Sequence, residues 1–234
     1  MANAKSRSLG PNLSAAEKVA GFCYLPFFAV LLSVILSYGA QLLGIALTDL
    51  QLNAAYFAVN ALVVWLIFHR FLVHSFRSIH FWEVVQAVIL GFVLYYAGNI
   101  LLGLLLDQLK LELPNYNNDN VVRLASQNPI VMLIGSVVIA PLVEETLFRG
   151  LVFGVLRRKS RIAAYAVTIL AFALLHVWQY MLLGQWAVVL LSAVQYVPAG
   201  IALGWTYEKS NNIWAPIALH MLINAIAYGL LGLF

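Results

Sequence analysis

Seven apolar stretches alternate with short polar connections along the chain: Val19–Leu47, Ala54–Val73, Val84–Leu106, Ile130–Leu156, Ile162–Leu183, Trp186–Tyr207 and Ile213–Phe234. Each is close to the roughly 20 residues that a helix rising 1.5 Å per residue needs to cross a bilayer. The first has length enough to tilt, or to hold a break near Ser37–Gly39. The longest connection, Asp107–Pro129, is rich in asparagine (Asn115, Asn117, Asn118, Asn120) and reads as a polar loop with room for a short interfacial helix. The pattern predicts an all-α, polytopic transmembrane helical bundle of about seven spans. Residues 1–234 read as a single transmembrane domain, with neither an internal repeat nor a low-complexity tract.

Composition sharpens this. The 234 residues are 63% hydrophobic and 9% charged, whereas about a quarter of a soluble domain is charged. Lipid must therefore be the solvent for most of the surface. The polar start, with Lys5, Arg7 and Lys18, runs into an apolar stretch longer than a signal-peptide core. An uncleaved first span is expected, in the plasma membrane if the host is bacterial. The net charge of +4 does not point to nucleic acid, because no basic face interleaved with aromatics accompanies it. The single cysteine, Cys23, carries no information on redox compartment.

With a cytoplasmic N-terminus, the inner segments collect Lys5, Arg7, Lys18, Arg70, Arg77, Arg157, Arg158, Lys159, Arg161 and Lys209. The outer segments keep only Lys110 and Arg123. That split follows the positive-inside rule for an odd number of spans.

Charge inside a span costs at least about 2.5–3.5 kcal/mol. The fourth stretch nevertheless holds Glu144, Glu145 and Arg149, and the seventh holds His220 and Asn224. The fifth holds Phe172 and His176. Glu145 and Arg149 share a helix face and can pair, while Glu144 points about 100° away. Pro141 should kink the helix beside them. Counted from the cytoplasmic ends, Glu144 lies about 18 Å deep, His176 about 21 Å and His220 about 10 Å, which allows one shared cluster. Interhelical hydrogen bonding accounts for Asn60, Gln86, Asn99, Ser192 and Gln195; it does not account for adjacent carboxylates. A carboxylate in a low-dielectric cavity can act as a base near neutral pH. An imidazole can hold or relay the proton, and a His–Asn pair can supply donors to an oxyanion. The inventory is that of a hydrolase.

Glu144-Glu145-x-x-x-Arg149, Phe172-x-x-x-His176 and His220-x-x-x-Asn224, in this order on separate spans, resemble the CPBP (Abi) family. That family includes the CAAX prenyl endopeptidases related to the Ras-converting enzyme. The likeness covers residues 130–234, with the lead-in Ser210-Asn211-Asn212-Ile213-Trp214-Ala215-Pro216 also matching. It implies an intramembrane endopeptidase acting on a membrane-embedded or membrane-associated peptide or protein, with a cavity open towards the cytoplasm. In that role Glu144 activates water, His176 assists, His220 and Asn224 form the oxyanion hole, and Glu145, Arg149 and Phe172 support them. A zinc site made by Glu144, His176 and His220 is the alternative chemistry, but no His-Glu-x-x-His helix anchors one, so no cofactor is expected. A non-enzymatic, immunity-type scaffold that sequesters a peptide or partner is the competing function. A proton-coupled transporter fits less well, since paired broken segments in two symmetric halves are lacking.

Overall fold

The computed structural model describes residues 13–183 and 186–232, so Lys5, Arg7 and Phe234 lie outside the described residues. Among the described residues there are eight helices and no strand: α1 Ala15–Leu42, α2 Asp49–Arg77, α3 Phe81–Gln108, α4 Tyr116–Ala125, α5 Pro129–Arg157, α6 Arg161–Met181, α7 Trp186–Ser210 and α8 Trp214–Leu230. Six are long and apolar enough to cross a membrane, and α8, 17 residues long, is a shorter apolar helix. The chain is thus a multi-pass integral membrane protein of about seven spans. The asparagine-rich connection does contain a short helix, α4.

α2, α3 and α5 overrun their apolar stretches at both ends, and polar residues cap several of the helix starts. Ser14 and Glu17 form a reciprocal capping box at the start of α1, as do Thr48 and Gln51 at the start of α2. Asn128 accepts from the Val131 N–H with Pro129 at the first helical position, so α5 starts where its missing donor costs nothing. Asn211, at φ 54°, ends α7 in the left-handed conformation that asparagine tolerates.

The first span is interrupted at Pro26, not at Ser37–Gly39. A π-helical stretch, Phe27–Leu31, follows the proline, whereas Leu32–Leu42 continues as regular helix. In α5 the disturbance around Pro141 is likewise a widened helix: π-helical turns at Leu133–Ile139 and Thr146–Phe153 bracket Ala140–Glu145. A proline ring clashes with the carbonyl four residues earlier, and an extra residue in the preceding turn relieves that clash, which accounts for Leu133–Ile139 before Pro141 but not for the stretches that follow Pro26 and Pro141.

Contacts divide the bundle into two ends. At the base-rich end, Arg157 of α5 and Arg161 of α6 both pair with Glu208 of α7, and Tyr165 donates to the same carboxylate at 3.0 Å. There too Asn212 donates to the Ser75 carbonyl (2.7 Å) and the Trp214 indole to the Leu72 carbonyl (3.1 Å), tying the α7–α8 turn to the end of α2. At the asparagine-rich end, Arg123 of α4 pairs with Asp49 of α2 at 2.8 Å, and the Tyr228 hydroxyl donates to the Pro129 carbonyl at 2.6 Å. Between them lies a core built from Phe68, Phe71 and Leu72 of α2, Leu147 and Leu151 of α5, and Leu203 of α7. Since lipid is as apolar as these side chains, the gain comes from dense packing and close approach. Gly91 makes the closest approach possible: a Cβ there would sit 2.0 Å from Thr206 Oγ1.

Of the residues expected to bridge helices, Asn60 does, accepting from the Tyr24 hydroxyl at 2.6 Å, and Gln195 does, donating to the Pro114 carbonyl at 2.9 Å. Asn99 and Ser192 do not. Each donates to a carbonyl of its own helix four residues earlier, Tyr95 and Val188, which a short donor reaches without a neighbour.

Candidate active site

The α5 motif splits as helix geometry requires. Glu145 and Arg149 are both fully buried, and the guanidinium donates to Glu145 Oε1 at 2.9 Å. The same oxygen receives Nδ1 of His220, from α8, at 2.8 Å. Arg149 also donates to the Gly200 carbonyl of α7 at 3.4 Å and lies 4.7 Å from the centroid of the Phe172 ring. One carboxylate thereby joins α5 to α8, and its arginine reaches α6 and α7. A buried ion pair of this kind holds geometry more than it adds stability, because both charges lost their water.

Phe172 is the aromatic hub. Its ring centroid is 4.6 Å from the His176 ring and 5.6 Å from the His220 ring, with Phe148 packing edge-on. His176 places Nδ1 2.8 Å from the Phe172 carbonyl and stacks on Tyr196 of α7 at 4.4 Å. A carbonyl can only accept, so Nδ1 carries the hydrogen and Nε2 offers a lone pair. By the same logic the His220 Nδ1–H is committed to Glu145, and its Nε2 is the free nitrogen.

Glu144, His176, His220 and Asn224 all line one cavity of about 160 Å³. It shares His176, His220 and Asn224 as wall residues with a larger chamber of about 340 Å³ that reaches Asn99 and Asn115. Glu144 Oε2 is buried without a hydrogen-bond partner. Glu145 does not line the cavity. Asn224 donates to the Ser136 carbonyl at 2.8 Å, which fixes its amide and leaves one N–H over. The structure therefore brings together the six polar residues of the three motifs, joined by Phe172. It separates them into a packed trio (Glu145, Arg149, His220) and a cavity-lining set that shares His220.

The position of the cavity departs from one expectation. Its walls include Asn53, Asn117, Asn120 and Tyr180, all at the asparagine-rich end. None of Arg77, Arg157, Arg161 or Lys209 contributes. A cytoplasmic mouth, as the family resemblance implies, conflicts with the charge split, which puts the base-rich end in the cytoplasm.

As for zinc, Glu144, His176 and His220 share the cavity, but among the described residues no group of three His, Cys, Asp or Glu is close enough to hold a metal ion. The Glu145 contact takes Nδ1 of His220 and leaves Nε2 open, the orientation a metal-ligating histidine also takes. It is the spacing of the three groups that does not fit the metal.

Three features escaped the sequence. Tyr196, the face against which His176 stacks, belongs to no motif. The sharing of Glu145 between Arg149 and His220 requires two helices to meet 75 residues apart in sequence. The Glu208 clamp was visible only as a lone acid beside Lys209.

The part of this helical membrane bundle that carries the acid–histidine cluster is similar to known peptidases. Residues 126–226 match the family described as Type II CAAX prenyl endopeptidase Rce1-like. A protein of Bacillus subtilis (strain 168), YdiL, provisionally named a membrane peptidase, is 24% identical over 110 residues, or 46% of this chain. The match covers 40% of that relative's length. No solved structure matches the chain. Over these residues, less than half of its length, the chain is similar to the CAAX-type endopeptidases.

Proposed function

We propose that the chain is a glutamate-dependent intramembrane endopeptidase that cleaves a peptide bond of a membrane-associated peptide or protein without a metal. The observation that carries this reading is the division between the two carboxylates. One oxygen of Glu145 is held by both Arg149 and His220 and that residue lines no part of the cavity, whereas Glu144, engaged by neither, faces the cavity. In the reaction, Glu144 takes a proton from water, with Nε2 of His176 accepting the water's other hydrogen and orienting it. The water oxygen adds to the scissile carbonyl. The oxyanion that forms is met by the remaining N–H of Asn224 and by Nε2 of His220 when it carries a proton, beside the carboxylate of Glu145. Collapse breaks the C–N bond, and the proton held by Glu144 passes to the leaving amine. The walls near the site are amides, phenols and apolar groups, which suit recognition of backbone rather than of one charged side chain.

The test is cleavage of a fluorogenic peptide library by the purified protein and by Glu144→Gln, both after exhaustive dialysis against a strong chelator. Loss of a general base costs about 10²–10⁴-fold. The expected result is that wild type retains activity after dialysis and that Glu144→Gln falls by that factor at equal folded yield. A Glu144→Gln protein that cleaves normally would overturn the assignment of the base. Activity lost to the chelator and restored by zinc would make the enzyme a metallopeptidase. Binding of peptides with no cleavage by wild type would favour a sequestering scaffold instead.

A further inference from the structure

The chamber and the charge distribution together have a consequence for which side of the membrane is served. The polar walls Asn53, Asn117, Asn120 and Tyr180 of the cavity that holds Glu144, and Asn115 of the chamber beside it, belong to the asparagine-rich end, where α4 pairs with α2. That end holds two basic residues, Lys110 and Arg123, against four acidic ones, Asp49, Asp107, Glu112 and Asp119. The opposite end carries the run Arg157, Arg158, Lys159 and Arg161 together with Lys18, Arg77 and Lys209. These ends are physical groupings and not a counting convention, because the Glu208 clamp gathers the termini of α5, α6 and α7 at one of them and the Arg123–Asp49 pair joins α4 to α2 at the other. Lysine and arginine in short loops stay on the cytoplasmic side during insertion.

We infer that the catalytic chamber opens to the non-cytoplasmic face, so that the substrate is a membrane-associated peptide segment presented from outside. This rests on the peptidase reading for the word substrate, but the direction of the mouth does not. The opposite arrangement would require the Arg157–Arg161 cluster to be carried across the membrane, leaving the acid-bearing end inside.

Substituted-cysteine labelling decides it. In a Cys23→Ala background, Ser126→Cys reports the chamber end and Ser78→Cys the base-rich end; both serines are exposed, and the exchange changes no charge. Spheroplasts of an expression host are treated with a membrane-impermeant maleimide, with and without permeabilisation. Near-complete labelling of Ser126→Cys in sealed spheroplasts, with Ser78→Cys labelled only after permeabilisation, is the expected result. The reverse pattern would overturn the inference and place the mouth in the cytoplasm. Because labelling needs no catalysis, the same pattern is expected with Glu144→Gln added. Loss of cleavage there bears on the peptidase reading alone.

Discussion

At the scale of single residues, the two adjacent glutamates illustrate how one turn of helix assigns unlike roles to like side chains. A step of about 100° sends Glu145 into the helix interface and Glu144 into the chamber. Removing the positive partner should have a large effect. Arg149→Ala leaves Glu145 with only His220, in a place with no exposure to solvent. Breaking a buried pair this way costs about 3–5 kcal/mol. A lower unfolding temperature in detergent and lost activity are expected together, and an Arg149→Ala protein that melts like wild type would show that the pair contributes nothing to the fold. Phe172→Leu should behave differently. It keeps most of the apolar volume but removes the ring that touches Arg149, His176 and His220, so turnover should fall by far more than the modest drop in melting temperature accounts for. Equal kcat in the variant would deny the ring a positioning role. The motif residues were legible in the sequence because charge in an apolar run is costly enough to demand an explanation. The Glu145–Arg149 pair was legible too, but partners on other helices were not, since a hydrogen bond between α5 and α8 depends on how two helices lie against each other.

At the scale of helices, close approach governs the assembly. α3 meets α7 where Gly91 faces Thr206, and also contacts α8. Gly91→Val should separate these helices and cost about 1–3 kcal/mol, the usual price of overpacking. Gly103, on the same helix, has open space around it, and Gly103→Ala should leave stability unchanged or raise it by up to about 1 kcal/mol. Equal melting of the two variants would mean that the α3–α7 contact does not limit stability. The number and approximate limits of the spans followed from hydropathy alone, and polar residues cap several of the helix starts. The location of the irregular turns did not follow. Pro26 and Pro141 mark them, but a proline announces a defect without saying whether the chain kinks, breaks or widens into a π-helix.

At the scale of the molecule, the motif-bearing half cannot make the site alone. The cavity that holds Glu144 also uses Asn53, Tyr56 and Phe57 of α2 and Asn117 and Asn120 from the α4 region. The core beneath it includes Phe68, Phe71 and Leu72 of α2. A fragment of residues 126–234 should therefore aggregate or remain inactive in detergent, whereas co-expression with residues 1–125 should restore a measurable fraction of cleavage. A monodisperse, active 126–234 fragment would show that the first helices are dispensable. What the sequence by itself determined is everything that depends on composition and local spacing: the membrane as solvent, the count of spans, the two charge-separated ends and the polar residues that cannot be lipid-facing. Those follow because transfer energies and helix periodicity act over one or two turns. Only the tertiary structure decided that His220 joins Arg149 on Glu145, that Tyr196 backs His176, and that the chamber lies at the end poor in basic residues. Each of these depends on contacts between helices far apart in sequence, and the relative rotation and depth of packed helices are set by the whole bundle at once.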